Sequence, residues 1–368
     1  MMLYIAIVFI LASCFGSFFK VIVDRYNTED SFIFKPSYCS DCKNKLLWWN
    51  NIPIVGFLLL KGKCYFCKAK IDINCFFAEL ITGTIAAMLF FFALNNRNSL
   101  TEILVLMFFA MILILLSMFD LKHKTIPHLI TYSAISILIF SNCFIGGSIL
   151  NSLASLGISF IVMDSIYFLA NSFQKFELDN NTISIPLTLW AIYFLFFENP
   201  YYVLLPIIIY FLILKTIEVK KQFSVLFWLL LFILIFTHLY RFGLINEDKL
   251  NVFFFGIGTI YFVCEIVFYL LNVFLLKEKD ELQASHEVET SIGGGDITVI
   301  GLISVFLGYK LGLVTVFLAS IISLLAYLII ILINKLVPNI KKIEFKYIPF
   351  VPYLTIACFI IIMAFNGR

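Results

Sequence analysis

The sequence predicts an all-α polytopic membrane protein of about 12 transmembrane helices, because apolar runs able to cross roughly 30 Å of hydrocarbon recur along its length. Two further observations support that class. Of the 368 residues, 62% are hydrophobic and only 13% are charged, whereas a soluble domain keeps roughly a quarter of its residues charged to cover its surface. Between the first two apolar runs lies a polar segment with four cysteines in two pairs, which reads as a small cytoplasmic zinc-binding module. This composition excludes a water-soluble globular protein, makes membrane lipid the surrounding medium and gives no reason to expect a nucleic-acid partner. It leaves the oligomeric state open.

The first run, Met2 to Val23, lacks a basic segment before it and a small-residue cleavage site within it. It therefore reads as a retained helix, residues 1–23. The segment 24–74 holds Arg25, Lys35, Lys43, Lys45, Lys61, Lys63, Lys68 and Lys70. An excess of Lys and Arg marks a cytoplasmic loop, so the N-terminus is external. Helix two is expected from about Cys75 to Leu94 and helix three from about Leu100 to Phe119, with Asn95-Asn96-Arg97-Asn98 as the outer turn. Asp120 then sits at the cytoplasmic mouth, followed by Lys122 and Lys124, and Pro127 marks the break before a helix at about Leu129 to Ile145. A fifth helix, about Ile149 to Ala170, completes a unit of residues 75–175.

Four apolar segments follow, at about Ile183 to Phe197, Tyr201 to Leu214, Phe223 to Leu239 and Val252 to Leu276, inside an insertion of residues 176–277. An even number of crossings returns the chain to the same face. The polar stretch Lys277 to Ile292 is then cytoplasmic, and Gly293-Gly294-Gly295-Asp296 falls on the face that carries Asp120. The last unit, residues 278–368, should contain two helices joined by a tight turn near Tyr309-Lys310 and a final helix from about Pro349. The segment ending at Phe197 and the one after Asp296 are short enough to be re-entrant instead of spanning.

Cys39-x-x-Cys42 and Cys64-x-x-Cys67 have the spacing of a four-thiolate zinc site, each pair forming a tight knuckle closed by the metal. A reducing cytoplasm argues against disulfides. Four thiolates leave no open coordination position, so the metal is structural and folds a module too small to build its own core. Cys14, Cys75, Cys143, Cys264 and Cys358 lie in or beside apolar runs and read as small buried hydrophobes. Trp48 and Trp49 suit the headgroup level of a membrane, and Gly256-x-Gly258 suits close helix packing.

A carboxylate at a membrane boundary is costly unless it is paired or functional, which singles out Asp120 and Asp296. Two carboxyl groups at one place share a proton, since like charges that close cannot both ionise. The ionised member can deprotonate a water while the neutral one polarises a carbonyl. Gly293, Gly294 and Gly295 would let an extended peptide approach. Equally, they could be only the entry to a helix with Asp296 as its N-cap. Asp164, Glu198 and Glu265 also fall within or at the ends of apolar runs; Asp164 either lines the site or, the favoured reading, pairs within the bundle, and His123, His238 and His286 read as loop or boundary residues.

Read in order, Gly16-Ser17-Phe18 with Arg25, the double C-x-x-C module with Asn51-Ile52-Pro53 between its pairs, and Glu79-Leu80-Ile81-Thr82-Gly83 form one pattern. It continues in Phe119-Asp120-Leu121 with Ile126-Pro127, in Gly293-Gly294-Gly295-Asp296 and in Ile348-Pro349-Phe350. This pattern resembles the type IV prepilin leader peptidase/N-methyltransferases, of the GxGD class of intramembrane aspartyl proteases. The resemblance implies a bacterial inner-membrane enzyme that removes the basic leader of prepilins or pseudopilins at the cytoplasmic face. It also implies methylation of the new N-terminus with S-adenosylmethionine. It would make Asp120 and Asp296 the catalytic pair, Cys39, Cys42, Cys64 and Cys67 the zinc ligands, and Glu79 a candidate for the methylation half. The sequence departs from the family in its insertion, in Thr298 where a lysine is common, and in His128 where Asp or Asn is common. The competing readings are a proton-coupled transporter and a catalytically idle scaffold for pilus or secretion assembly.

Overall fold

A computed structural model describes residues 1–26, 36–39, 41–96, 98–173, 254–256, 258–259, 262–263, 266, 293–336 and 349–365. The segments expected from Ile183 to Leu239, most of Val252 to Leu276, and Lys277 to Ile292 lie outside the described residues. So do Glu198, Glu265, His238, His286 and the side chain of Asp164.

The described helices are α1 (Met2–Arg25), α2 (Val55–Leu59), α3 (Ile73–Asn95), α4 (Leu100–His123), α5 (His128–Phe144) and α6 (Ile149–Phe173), then α7 (Gly294–Leu307), α8 (Tyr309–Leu336) and α9 (Val351–Phe365). Among the described residues the only β-type pairings are isolated bridges, Tyr38 with Lys45 and Lys63 with Lys70. Among the described residues four helices, Met2–Arg25, Ile73–Asn95, Leu100–His123 and Tyr309–Lys335, are long and apolar enough to cross a membrane. The chain is therefore an all-α, multi-pass membrane protein. The 14 residues of α7 rise about 21 Å, less than the hydrocarbon core. The expected total of about twelve spans takes in segments outside the described residues.

Helix ends follow local signals. Ser99 Oγ accepts from the Glu102 amide (3.3 Å) and Glu102 Oε2 from the Ser99 amide (3.0 Å), a capping box that starts α4 where the sequence places it. Lys124 ends the helix in the left-handed region at φ 56°. Asp120 therefore lies inside the last turn of α4, slightly deeper than the mouth position expected for it.

The chain divides into two compact units, residues 1–126 with 321–368, and residues 127–320. In the first, α1 crosses α3 through glycines. A Cβ on Gly16 would lie 2.8 Å from the Ala78 carbonyl oxygen, and one on Gly83 would meet Ser13 Oγ and lie 3.0 Å from the Phe9 carbonyl oxygen. Helices in lipid have no hydrophobic drive to associate, so such small-residue contact supplies the packing. Gly83→Leu is expected to lower stability by about 1–3 kcal/mol through overpacking, read as an earlier thermal unfolding transition in detergent. On the far side, α9 packs against α4, with Ser117 Oγ 2.7 Å from Thr355 Oγ1.

In the second unit, Asn142 Nδ2 donates to Ser152 Oγ (2.8 Å) and to the Val305 carbonyl (3.3 Å), tying α5 to α6 and α7. A Cβ on Gly258 would meet the Leu153 carbonyl oxygen and lie 3.0 Å from the Gly157 nitrogen. The close packing expected of Gly256-x-Gly258 is present at Gly258. The expectation for the scattered cysteines holds for Cys358, which is buried, and fails for Cys14 and Cys143, which are exposed on helix surfaces. A small apolar thiol has no need of a protein interior when lipid surrounds the helix.

Candidate functional site

The four cysteines come together as the spacing predicts. Their Sγ atoms all lie within 4.8 Å of one another, and Cys39 Sγ is 3.8 Å from Cys67 Sγ. A tetrahedron with zinc–sulfur bonds of about 2.3 Å has edges of about 3.8 Å, so the donor set fits zinc.

The two knuckles repeat one backbone design. The Lys43 amide donates to the Cys39 carbonyl (3.0 Å) and the Lys68 amide to the Cys64 carbonyl (3.1 Å). The Cys39 and Cys64 amides return to Asn44 and Ala69 (3.0 and 2.8 Å). Lys43 and Lys68 both close their turns with positive φ, 57° and 60°.

The thiols feel this crowding. The Cys67 amide, ahead of a smaller contribution from Phe66, draws the Cys64 thiol down to about 7. The Ala69 amide favours the Cys67 thiolate, but burial and the Cys42, Cys64 and Cys39 thiols outweigh it and push Cys67 up to about 12. Four such groups can all be thiolates only around a cation.

The module is fastened to the membrane helices at two points. Arg25, ending α1, places its guanidinium 5.2 Å from the centre of the Tyr38 ring and donates to the Pro36 carbonyl (3.0 Å). Glu79, buried in α3, accepts the Ile54 amide at Oε2 (2.6 Å). Ile54 has φ 63° and ψ −54°, and the Val55 amide donates to the Pro53 carbonyl (2.6 Å). That is a γ-turn of the strained, positive-φ kind at a β-branched residue, a conformation that persists only where its surroundings hold it. Beside it, Cys14, Ser17, Phe18, Val21, Ser37, Asn51 and Pro53 line an open cleft of about 190 Å³.

Asp120 is 6% exposed, and its Oδ2 accepts the Val351 amide at the start of α9 (2.9 Å). The turn that carries it is pinned to the end of α1. His123 Nε2 lies 2.7 Å from the Val23 carbonyl oxygen, and Lys122 Nζ is 2.6 Å from Asp24 Oδ1. Lys20 bridges Asp24 (2.7 Å) and Asp72 (3.3 Å), joining the end of α1 to the start of α3. His123 is thus the boundary residue that the sequence suggests.

Asp296 lies in the second unit. It is the third residue of α7, not its N-cap; Gly293 takes the cap position, with φ −76° and ψ 142°. Asp296 Oδ2 accepts the Gly293 amide (3.2 Å). Among the described residues, a Cβ on Gly294 would meet nothing within 4 Å. Thr298 is 2% exposed and donates its hydroxyl to the Gly295 carbonyl (2.8 Å), and His128 stacks on Tyr132 with ring centres 5.7 Å apart. Sequence reasoning did not find the Val351 and Ile54 amides. Backbone donors carry no residue-type signal beyond the prolines beside them, Pro352 and Pro53.

Residues 10–93 match the family described as Bacterial Peptidase A24 N-terminal domain. Among similar proteins, one named prepilin leader peptidase/N-methyltransferase from Myxococcus xanthus is 30% identical over 125 residues, 34% of this chain and 36% of that protein. One of the same name from Vibrio cholerae is 31% identical over 137 residues, 35% of this chain and 53% of the relative. A third, from Neisseria gonorrhoeae, is 46% identical over 54 residues, 14% of this chain and 19% of the relative. The aligned part thus spans about a third to a half of the first two relatives. No solved structure matches.

Proposed function

We infer that this chain, whose residues 10–93 match the Bacterial Peptidase A24 N-terminal domain and whose relatives are named prepilin leader peptidase/N-methyltransferase, is an aspartyl endopeptidase. It removes the basic leader of prepilins or pseudopilins at the cytoplasmic face of the bacterial inner membrane. The observation that carries the reading is Asp120, a carboxylate buried at the end of a membrane helix and held by a backbone amide from a helix more than two hundred residues away. Burying a carboxyl group in a membrane protein without a task is costly.

In this mechanism Asp120 and Asp296 share one proton and hold one water. The ionised carboxylate takes a proton from the water as it attacks the scissile carbonyl, and the protonated one donates to the carbonyl oxygen. The Val351 amide fixes the direction of the Asp120 carboxylate, and the Gly293 amide does the same for Asp296. Gly293, Gly294 and Gly295, without side chains, would let an extended peptide approach the second acid. Incubating the purified chain with a prepilin and following loss of the leader by mass spectrometry tests the activity.

Val351→Pro probes the Asp120 contact on its own. Proline is tolerated at the first position of a helix and removes the N–H, together with part of a fully buried side chain, while the Phe350 amide beside it still favours the Asp120 carboxylate. A hydrogen bond to a charged group contributes about 1.5–3 kcal/mol, so kcat should fall roughly 10- to 100-fold with KM little changed. Val351→Ala keeps the amide and trims the same buried side chain, so it should lose stability but little kcat; equal losses of kcat in both variants would remove Val351 from this role.

The four-cysteine module is assigned structural zinc. Methylation of the new N-terminus, with S-adenosylmethionine as donor and Glu79 as its candidate residue, rests on the relatives' names and the motif. The mass of the mature N-terminus decides this half. A transporter would leave the four-thiol module unaccounted for.

A further inference from the structure

The segment between the two cysteine pairs exposes apolar side chains that water would not tolerate as a group. Trp48 is 80% exposed, Leu59 68% and Leu58 60%, with Ile52 and Val55 exposed beside them. A cluster of this kind marks an interaction surface. Its position in the first unit says what covers it.

The cluster does not project away from the membrane helices. Phe57, on α2, packs on Phe76 in the first turn of α3, with ring centres 5.2 Å apart. The Ile54 amide reaches Glu79 at 2.6 Å. Glu79 follows Ile73, the start of α3, by about 9 Å of helix rise at roughly 1.5 Å per residue. Through Ile54 and Phe57 the strap Trp48–Leu59 therefore lies alongside the first two turns of α3, the level at which a helix long enough to span would leave the acyl chains for the headgroups.

Charge agrees with that depth. Lys43, Lys45, Lys61, Lys63, Lys68 and Lys70 are all exposed, against Asp41 and Asp72 as the acids of residues 36–72. Lysines around a Trp- and Leu-bearing surface are the composition of an interfacial element on an anionic leaflet. A basic leader peptide would be repelled by the same lysines.

We propose that the strap Trp48–Leu59 is a lipid-docking surface, seated in the interface of an anionic leaflet, with Lys61 and Lys63 on the headgroups. It fixes the height of the zinc module above the bilayer, and it stands whether or not the chain cleaves prepilins. The exposed apolar side chains are thereby solvated by lipid, and Glu79 with Phe57 sets how deep they sit.

The test uses the full chain reconstituted in phosphatidylcholine vesicles with or without phosphatidylglycerol. The Trp48 emission is taken as the difference between wild type and Trp48→Phe. Lipids brominated near the headgroup end of their chains should abolish most of that emission, and acrylamide in the water should leave it. The combined variant Lys61→Glu with Lys63→Glu should weaken the bromolipid quenching in vesicles that contain phosphatidylglycerol. Leu59→Trp adds a reporter without removing a contact, and should give the same result even if Trp48→Phe disturbs the module. Emission quenched by acrylamide and untouched by bromolipid overturns the proposal. So does acrylamide quenching that disappears only when a prepilin is added, which would make the strap a protein-docking surface.

Discussion

Asp120→Asn and Asp296→Asn are each expected to lower leader removal by roughly 10²- to 10⁴-fold, the range of positioned acid–base groups. Asn keeps the shape of Asp and one carbonyl oxygen. In Asp120→Asn that oxygen can still accept the Val351 amide, and in Asp296→Asn the Gly293 amide, so both variants should fold. What they lose, on the proposed mechanism, is the shared proton. A neutral amide cannot take a proton from water, and removing one member of a dyad abolishes the division of labour between base and acid. The measurement is the rate of leader release from a purified prepilin, with zinc content and thermal unfolding as controls for folding. A transporter or an idle scaffold would show no leader release to lose, and processing that survives either substitution would end the aspartyl reading.

Removing the metal, by chelation or by Cys67→Ser, is expected to unfold the module between α1 and α3 while the membrane helices persist. Among the described residues from 36 to 72, only Gly56 and Cys64 are buried. So little buried surface cannot hold the segment, and structural zinc contributes on the order of 10 kcal/mol in comparable small modules. Wild type should carry one zinc per chain and resist trypsin, whereas the metal-free protein should be cut rapidly at Lys43, Lys45, Lys61, Lys63, Lys68 and Lys70. Helical signal should hardly change, because α1 and α3 pack through Gly16 and Gly83 independently of the metal. Leader removal should fall less than in the Asp variants, since neither acid lies in the module. A protease-resistant module in the metal-free protein would mean that Glu79 and Arg25 hold the fold without zinc.

The α4 start could be read from the sequence because its cause is local. Ser99 and Glu102 cap one another across a single turn. The cysteine site was equally legible, since each knuckle closes within five residues and the metal's demand for four thiols fixes the rest. Asp296 shows the limit of local reading. The glycines before it suggested either an open approach or an N-cap, and the backbone instead starts the helix at Gly294, leaving Asp296 to bond back to Gly293.

By itself the sequence determined the membrane class, the helices that capping and hydropathy delimit and the thiol site, because each depends on residue type at short spacing. The tertiary structure alone decided that Val351 holds Asp120, that Glu79 holds a strained turn at Ile54, and that the Trp48–Leu59 strap lies along α3. Helices that are apolar on nearly every side announce that they cross a bilayer but not which face meets which neighbour. Backbone amides, present at every residue except proline, announce nothing until packing brings one of them to a carboxylate.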